Sequence, residues 1–313
     1  MRIAIDVVQA LLLILGAPLL RGIVARVKAR LQRRRGASIW RPYSDLLKLF
    51  GKEELVPPTS SAVFRIAPVV LFAAVACVTA FIPVVHPSAL LAWSGDFFLL
   101  VYLLALGRFF LSLGALDGGS AFGGMGASRE ALVSSLAEAP FLLSLVAIAI
   151  LASRADIAGM VVWTLKQNFF NISTVHILAF TALAMVTLAE TGRMPVDNPT
   201  THLELTMIHE GMVLEYSGPS LALIEWASAT KLHAMFALLI AFFFPWGMAA
   251  GDSWGRLALA LLLYGAKVGL FAILLSVIES AVAKLRMYLV PDFLGVAAAL
   301  SALAVIFTMW VKR

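Results

Sequence analysis

Long apolar runs alternate with short polar intervals along this chain, and each run lasts about twenty residues without the two-residue rhythm of a strand. The pattern predicts eight membrane-crossing helices, drawn at 4–24, 64–85, 97–116, 130–152, 173–192, 230–249, 257–281 and 291–311. Pro57 and Pro58 precede the second run, the glycine-rich GGSAFGGMG separates the third from the fourth, and Pro291 opens the last. A β-barrel would need alternating segments of about ten residues instead. The expected fold is therefore all-α and polytopic, a single integral membrane domain over residues 1–313. It has a basic loop at 25–64 and an acidic loop at 190–229. Within the first loop, PYSDLLKLF carries the pattern of an amphipathic helix lying on the membrane surface.

Composition agrees: 61% of the 313 residues are hydrophobic and only 13% are charged, far from a soluble domain. The net charge of +6 is explained by topology, and no nucleic acid is expected as a partner. Sixteen Lys and Arg fall in the loops after the first, third, fifth and seventh spans, and six fall on the other side. The first set is expected on the cytoplasmic face of a prokaryotic inner membrane, with both termini outside. The opening MRIAIDVVQALLLILGAPLL lacks an A-x-A-like cleavage site and contains Asp6, so it reads as an uncleaved span. Cys77 is the lone cysteine; one thiol forms no internal disulfide and holds no iron–sulfur cluster, so any redox centre belongs to a partner chain.

Charge within the apolar framework changes the picture most. Residues 190–217 hold Glu190, Arg193, Asp197, His202, Glu204, His209, Glu210 and Glu215 between two apolar runs. Arg108 and Lys267 sit mid-span, and Glu130, Glu138, Glu190 and Glu279 lie in or at the ends of other spans. A charge in hydrocarbon costs roughly 2.5–3.5 kcal/mol on insertion scales, so such groups pair with one another or serve a function. Singly, each reads as a structural ion pair; together, they have the composition of a proton path. The eight-residue Glu130–Glu138 spacing places the two within about 80° and 12 Å on one helix, and Glu204 and Glu215 share a face if their segment is helical. The spacing of His202 and His209 matches no zinc motif, and no metal is expected. Asn171-Ile-Ser reads as a chance sequon beside a span. Arg26, Arg30 and Arg33 recur at helical spacing. With Arg34, Arg35, Arg41 and Arg193 they fit either lipid headgroups and topogenesis or a dock for an acidic soluble partner.

These residues also carry a resemblance. Glu190-Thr-x-Arg193-x-Pro195-x-Asp197, Glu204-Leu205 and Glu215-Tyr216-Ser217 resemble the signature loop of respiratory complex I subunit 1. Gln32-x-Arg34-x-Gly36, Pro42-Tyr43-x-Asp45, Lys48-Leu49, Phe64-Arg65 and Pro68 resemble the same family. Gly126-Ala-Ser-Arg129-Glu130, with Glu138, Pro140 and Leu116-Asp-x-Gly-Ser-x-Phe122, is similar to its formate hydrogenlyase subunit 4 branch of energy-converting hydrogenases. The resemblance implies a membrane "heel" subunit without a cofactor of its own. Soluble hydrogenase-like large and small subunits and an iron–sulfur subunit would stand on it, with iron–sulfur clusters in those partners, and with or without a nickel–iron site. Antiporter-like subunits would lie beside it in the bilayer. It implies that Glu130, Glu138, Glu190, Asp197, Glu204, Glu210, Glu215, Glu279 and Lys267 couple redox chemistry to proton or sodium movement. Between Asp197 and Glu204 the chain reads NPTTHL where complex I is rich in glutamate. A quinone-chamber subunit is accordingly the second reading and a passive anchor the third.

Overall fold

The computed structural model describes residues 2–92, 96–167, 173–198, 207–249, 251 and 253–311, and its regular elements are helices. In order they are α1 (Arg2–Leu31), α2 (Arg41–Phe50), α3 (Ala62–Thr79), α4 (Phe97–Asp117), α5 (Ala121–Ala152) and α6 (Ile157–Lys166). There follow α7 (Thr174–Glu190), α8 (His209–Val213), α9 (Gly218–Phe243), α10 (Trp254–Ala281) and α11 (Val290–Val311). Among the described residues, seven helices are long and apolar enough to cross a membrane; α7, at 17 residues, is a shorter apolar helix. Each expected span corresponds to a helix, and the protein is a polytopic membrane protein.

Helix α1 runs on to Leu31, and α3 and α9 end at Thr79 and Phe243, each six residues short of the drawn span. Two helices start well before the sequence reading placed them. Helix α5 starts at Ala121, not near 130, because the Ser120 hydroxyl accepts the Gly123 N–H, and Gly123 and Gly126 face neighbouring backbone. Only Gly118 and Gly119, the latter at φ +71°, form the turn that GGSAFGGMG suggested. Helix α9 starts at Gly218, where φ is +53° and an added Cβ would lie 2.7 Å from the Glu53 carbonyl oxygen. Pro219 follows in the first turn, where its missing N–H costs nothing. The segment read as the tail of an acidic loop is thus helical, and it carries Glu225 into the bundle.

Helix α9 is the axis. Its most apolar stretch is 83% buried, against 28% for α10 and α11; α1, α3, α7 and α10 pack around it, and α5, α7 and α11 pack together beside them. Pro18 fastens α1 to this axis. Lacking an N–H, it leaves the Ile14 carbonyl without its helical partner, and Trp226 Nε1 of α9 donates to that oxygen at 2.9 Å. One residue earlier, the Leu13 carbonyl accepts His233 Nδ1 at 2.9 Å, and the Leu15 carbonyl accepts the Tyr43 hydroxyl of α2. Helix α2 therefore lies across α1 and α9 with Trp40 and Leu47 exposed, as an interfacial helix should.

Small residues set the spacing of α3 and α4. A Cβ on Gly114 would come 2.9 Å from Ala67 Cβ and would strike the Tyr216 hydroxyl, and one on Gly107 would meet Leu71 at 3.1 Å. Close backbone approach of this kind replaces the hydrophobic drive that lipid cannot supply. Gly114→Val should therefore lower stability by about 1–3 kcal/mol, read as thermal unfolding in detergent. Gly124→Ala, with nothing within 4 Å of the new Cβ, should be neutral or slightly stabilising.

Candidate functional site

Helix α7 delivers Glu190, its last residue, into the bundle, where the residue is 6% exposed. The Arg108 guanidinium of α4 pairs with Oε1 of Glu190. Lys231 Nζ of α9 stands 2.9 Å from Oε2, an ion pair by distance though off hydrogen-bond alignment. One buried carboxylate is thus met by two buried cations. Glu130 of α5 brings a second carboxylate to the same place: Arg108, Lys231, Glu190, Glu130 and His209 line one cavity of about 50 Å³. A void of that size has room for about one water, and its walls also include Leu71, Val75, Leu111 and Met212.

The Gly126-Ala-Ser-Arg129-Glu130 motif places this wall. Gly126 lets the backbone of residues 208–212 lie directly on α5, since a Cβ there would be 2.9 Å from the Ile208 oxygen and 3.0 Å from the Met212 nitrogen. Arg129 Nη1 donates to the Met207 carbonyl at 3.0 Å. Glu130, next in sequence, then faces the cavity.

Two further buried acids tie the signature loop down. After Gly192 turns the chain at φ +57°, Arg193 Nη1 reaches Glu279 Oε1 of α10 at 3.2 Å, and Lys28 of α1 holds Oε2 at 3.2 Å. Burial pulls the Arg193 guanidinium below the ordinary arginine value; Glu279 opposes this, and the Arg21 charge adds to it. Asp197, 2% exposed, pairs with Lys284 at 2.8 Å. Its second oxygen accepts the N–H groups of Ile208 and His209 at 3.2 and 3.1 Å. One carboxylate therefore joins the two ends of the acidic loop.

Of the acids singled out from the sequence, Glu130 and Glu190 share the cavity, with Glu279 and Asp197 in the two neighbouring ion-pair sets. Glu138 lies two turns beyond Glu130 on the continuous α5, half-buried. Glu210 opens α8 and Glu215 sits half-buried before α9, its Cγ against Gly118. Glu204, His202 and Asn171 lie outside the described residues. Lys267 is elsewhere, donating to the Phe244 and Trp246 carbonyls beyond the end of α9. Arg26 and Arg30 extend from α1, whereas Arg33 lies past its end at φ +56°, so the three do not share one helical face. Arg33, Arg34, Arg35 and Arg41 are exposed. Among the described residues no three His, Cys, Asp or Glu cluster as a metal site.

Sequence reasoning missed Lys231, counted as a loop cation, together with Lys28, Lys284 and the Arg21–Glu225 pair that joins α1 to α9. The signal was present in Gly218-Pro219, which marks the start of α9 twelve residues ahead of the drawn span. Tyr216, named from the sequence only as part of a motif, is stacked on Phe64 at 4.1 Å with its buried hydroxyl unpartnered. Burial, with Asp117 and Glu54 nearby, pushes that phenol well above its usual range.

The same arrangement of loop and helices recurs in known proteins. A profile described as NADH dehydrogenase matches residues 3–310. The chain belongs to that family. It is 36% identical over 299 residues to hydrogenase-4 component C of Escherichia coli K12, covering 96% of this chain and 93% of that protein. Formate hydrogenlyase subunit 4 of the same strain is 34% identical over 295 residues, covering 93% and 94%. An NADH-quinone oxidoreductase subunit of Rubrobacter xylanophilus is 30% identical over 225 residues, covering 68% and 66%. A chain of the membrane-bound sulfane sulfur reductase, an archaeal respiratory membrane complex, superposes with a TM-score of 0.81 at 23% identity, covering 97% and 99%; this last likeness concerns the fold. The resemblance read from the motifs thus holds, with the hydrogenase-type relatives nearer than the quinone oxidoreductase.

Asp197→Ala removes an ion-pair partner of half-buried Lys284 and two backbone bonds at once. It should cost about 3–5 kcal/mol and speed proteolytic cleavage between residues 198 and 207. Arg41→Ala, which breaks only the exposed pair with Asp45, should leave both unfolding and cleavage unchanged.

Proposed function

We infer that this chain is the coupling and anchoring subunit of a complex I-like, hydrogenase-type membrane assembly. Soluble redox subunits, with iron–sulfur clusters of their own and with or without a nickel–iron site, stand on its basic and acidic loops, and antiporter-like subunits lie beside it. Relatives that are components of hydrogenase-4 and formate hydrogenlyase support the placement. The basic loop then faces the cytoplasm of a prokaryotic inner membrane, both termini lie outside, and Arg26, Arg30, Arg33, Arg34, Arg35, Arg41 and Arg193 supply the docking charge. The chain itself supplies no redox group.

The observation that carries the coupling role is the water-sized cavity bounded by two cations and two carboxylates. A proton taken up by Glu190 leaves Arg108 and Lys231 short of their partner, so protonation and the ion-pair pattern must change together. His209 connects this balance to the loop above it, because it lines the cavity while its N–H is held by Asp197. A displacement of the loop by chemistry in the redox subunits would thereby reach Glu130, Glu190 and Lys231, moving a proton or a sodium ion. Glu138, Glu279, Glu204, Glu210 and Glu215 would extend the path from that centre. A passive anchor is the second reading, favoured by the ion pairing of Glu190, Glu279 and Asp197.

Glu130→Gln and Lys231→Met, each in the complete complex reconstituted in vesicles, separate the two. Coupling predicts that ion pumping falls roughly tenfold or more, while turnover of the redox subunits with an artificial acceptor changes by less than about twofold. Pumping at the wild-type level in both variants favours the anchor.

A further inference from the structure

Lys267 takes no part in the ion-pair hub. It lies thirteen residues from Trp254 and fourteen from Ala281 on α10, hence about 20 Å from either end of the helix. Its ammonium donates to the Phe244 and Trp246 carbonyls and makes no ion pair among the described residues. Two of its three N–H groups are used. Capping the end of α9 accounts for those two and leaves the third N–H and the charge without a counter-ion. The head of the side chain lines an open cavity of about 460 Å³, otherwise bounded by Phe180, Phe244, Trp246, Leu270, Phe271 and Leu274.

The outer side of α10 is patterned around this lysine. Leu263, Lys267, Leu270, Leu274 and Val277 follow at intervals of four, three, four and three residues. The four apolar members are 36%, 55%, 49% and 44% exposed. That interval is the seam of a left-handed helix pair, in which one polar member fixes partner and register.

We propose that this face of α10 docks a transmembrane helix of a different membrane subunit, whose Asp or Glu enters the cavity and pairs with Lys267. Lipid does not meet the requirement, because acyl chains carry no countercharge and the headgroups lie beyond reach of a lysine stem from mid-helix. A second copy of this chain does not meet it either, since a two-fold contact along the seam sets Lys267 against Lys267. The proposal rests on the coupling reading for the existence of neighbouring membrane subunits, and it adds which face they take and by what charge.

The test uses the complete complex in native membranes, in a Cys77→Ser background. Leu274→Cys leaves the lysine cap intact and is tagged with a membrane-permeant benzophenone maleimide, then illuminated. Cross-linking to one membrane subunit, at a helix with a carboxylate within a turn of the linked position, is the expected result. Lys267→Glu should lower recovery of that subunit by roughly tenfold or more, and Lys267→Arg should restore it. Label recovered only on phospholipid, in complexes that keep their membrane partners, overturns the docking face and leaves the coupling reading standing. A chain that purifies with no membrane partner overturns both.

Discussion

A carboxylate removed from water has to be met by opposite charge, and Glu190 meets that demand twice, through Arg108 and Lys231. The three residues come from α7, α4 and α9, so the pairing fixes the relative height of three helices that lipid alone would leave free to slide. The sets around Glu279 and Asp197 do the same for α10, α1 and the start of the Lys284 segment. Apolar surface is abundant on every side of these helices and carries little positional information in a bilayer. Register is set by charge.

Close packing makes the charges reachable. Gly107 and Gly114 bring α4 against α3, and Gly126 lets residues 207–213 lie on α5. Without those approaches Arg129 would not reach the Met207 carbonyl, and the His209 side of the cavity would stand off from Glu130. Pro18 acts in the same sense on α1, releasing the carbonyl that Trp226 captures. Residues that sequence rules treat as breaks in helices are here the contacts between them.

This explains what could be read from the chain and what could not. Hydropathy alone places the spans, because a twenty-residue apolar run has one solution in lipid. The GRMP and GASRE motifs identified the family and pointed to Glu130 and Glu190. Lys231, Lys28 and Lys284 were legible only as positive charges near loop ends, since which acid each one meets depends on tertiary register. The start of α9 was misplaced because its first turns, SLALIEWASAT, are polar enough to pass for a loop. Their polar groups find partners within the protein: Ser220 meets Glu54, Glu225 meets Arg21, Trp226 donates to the Ile14 carbonyl and Thr230 to the Trp226 carbonyl. Lys267 was grouped with the relay from its depth in the membrane, and depth says nothing about lateral position.

The junction at Asp197 has a consequence for how such a protein changes over time. Because one side chain clasps residue 197 to residues 208 and 209, the spacing of those two points is held whatever sequence joins them. Substitutions and insertions between them can be tried without breaking the Asp197–Lys284 pair. A lineage can in this way vary that stretch of sequence while inheriting the ion pairs inside the bundle intact.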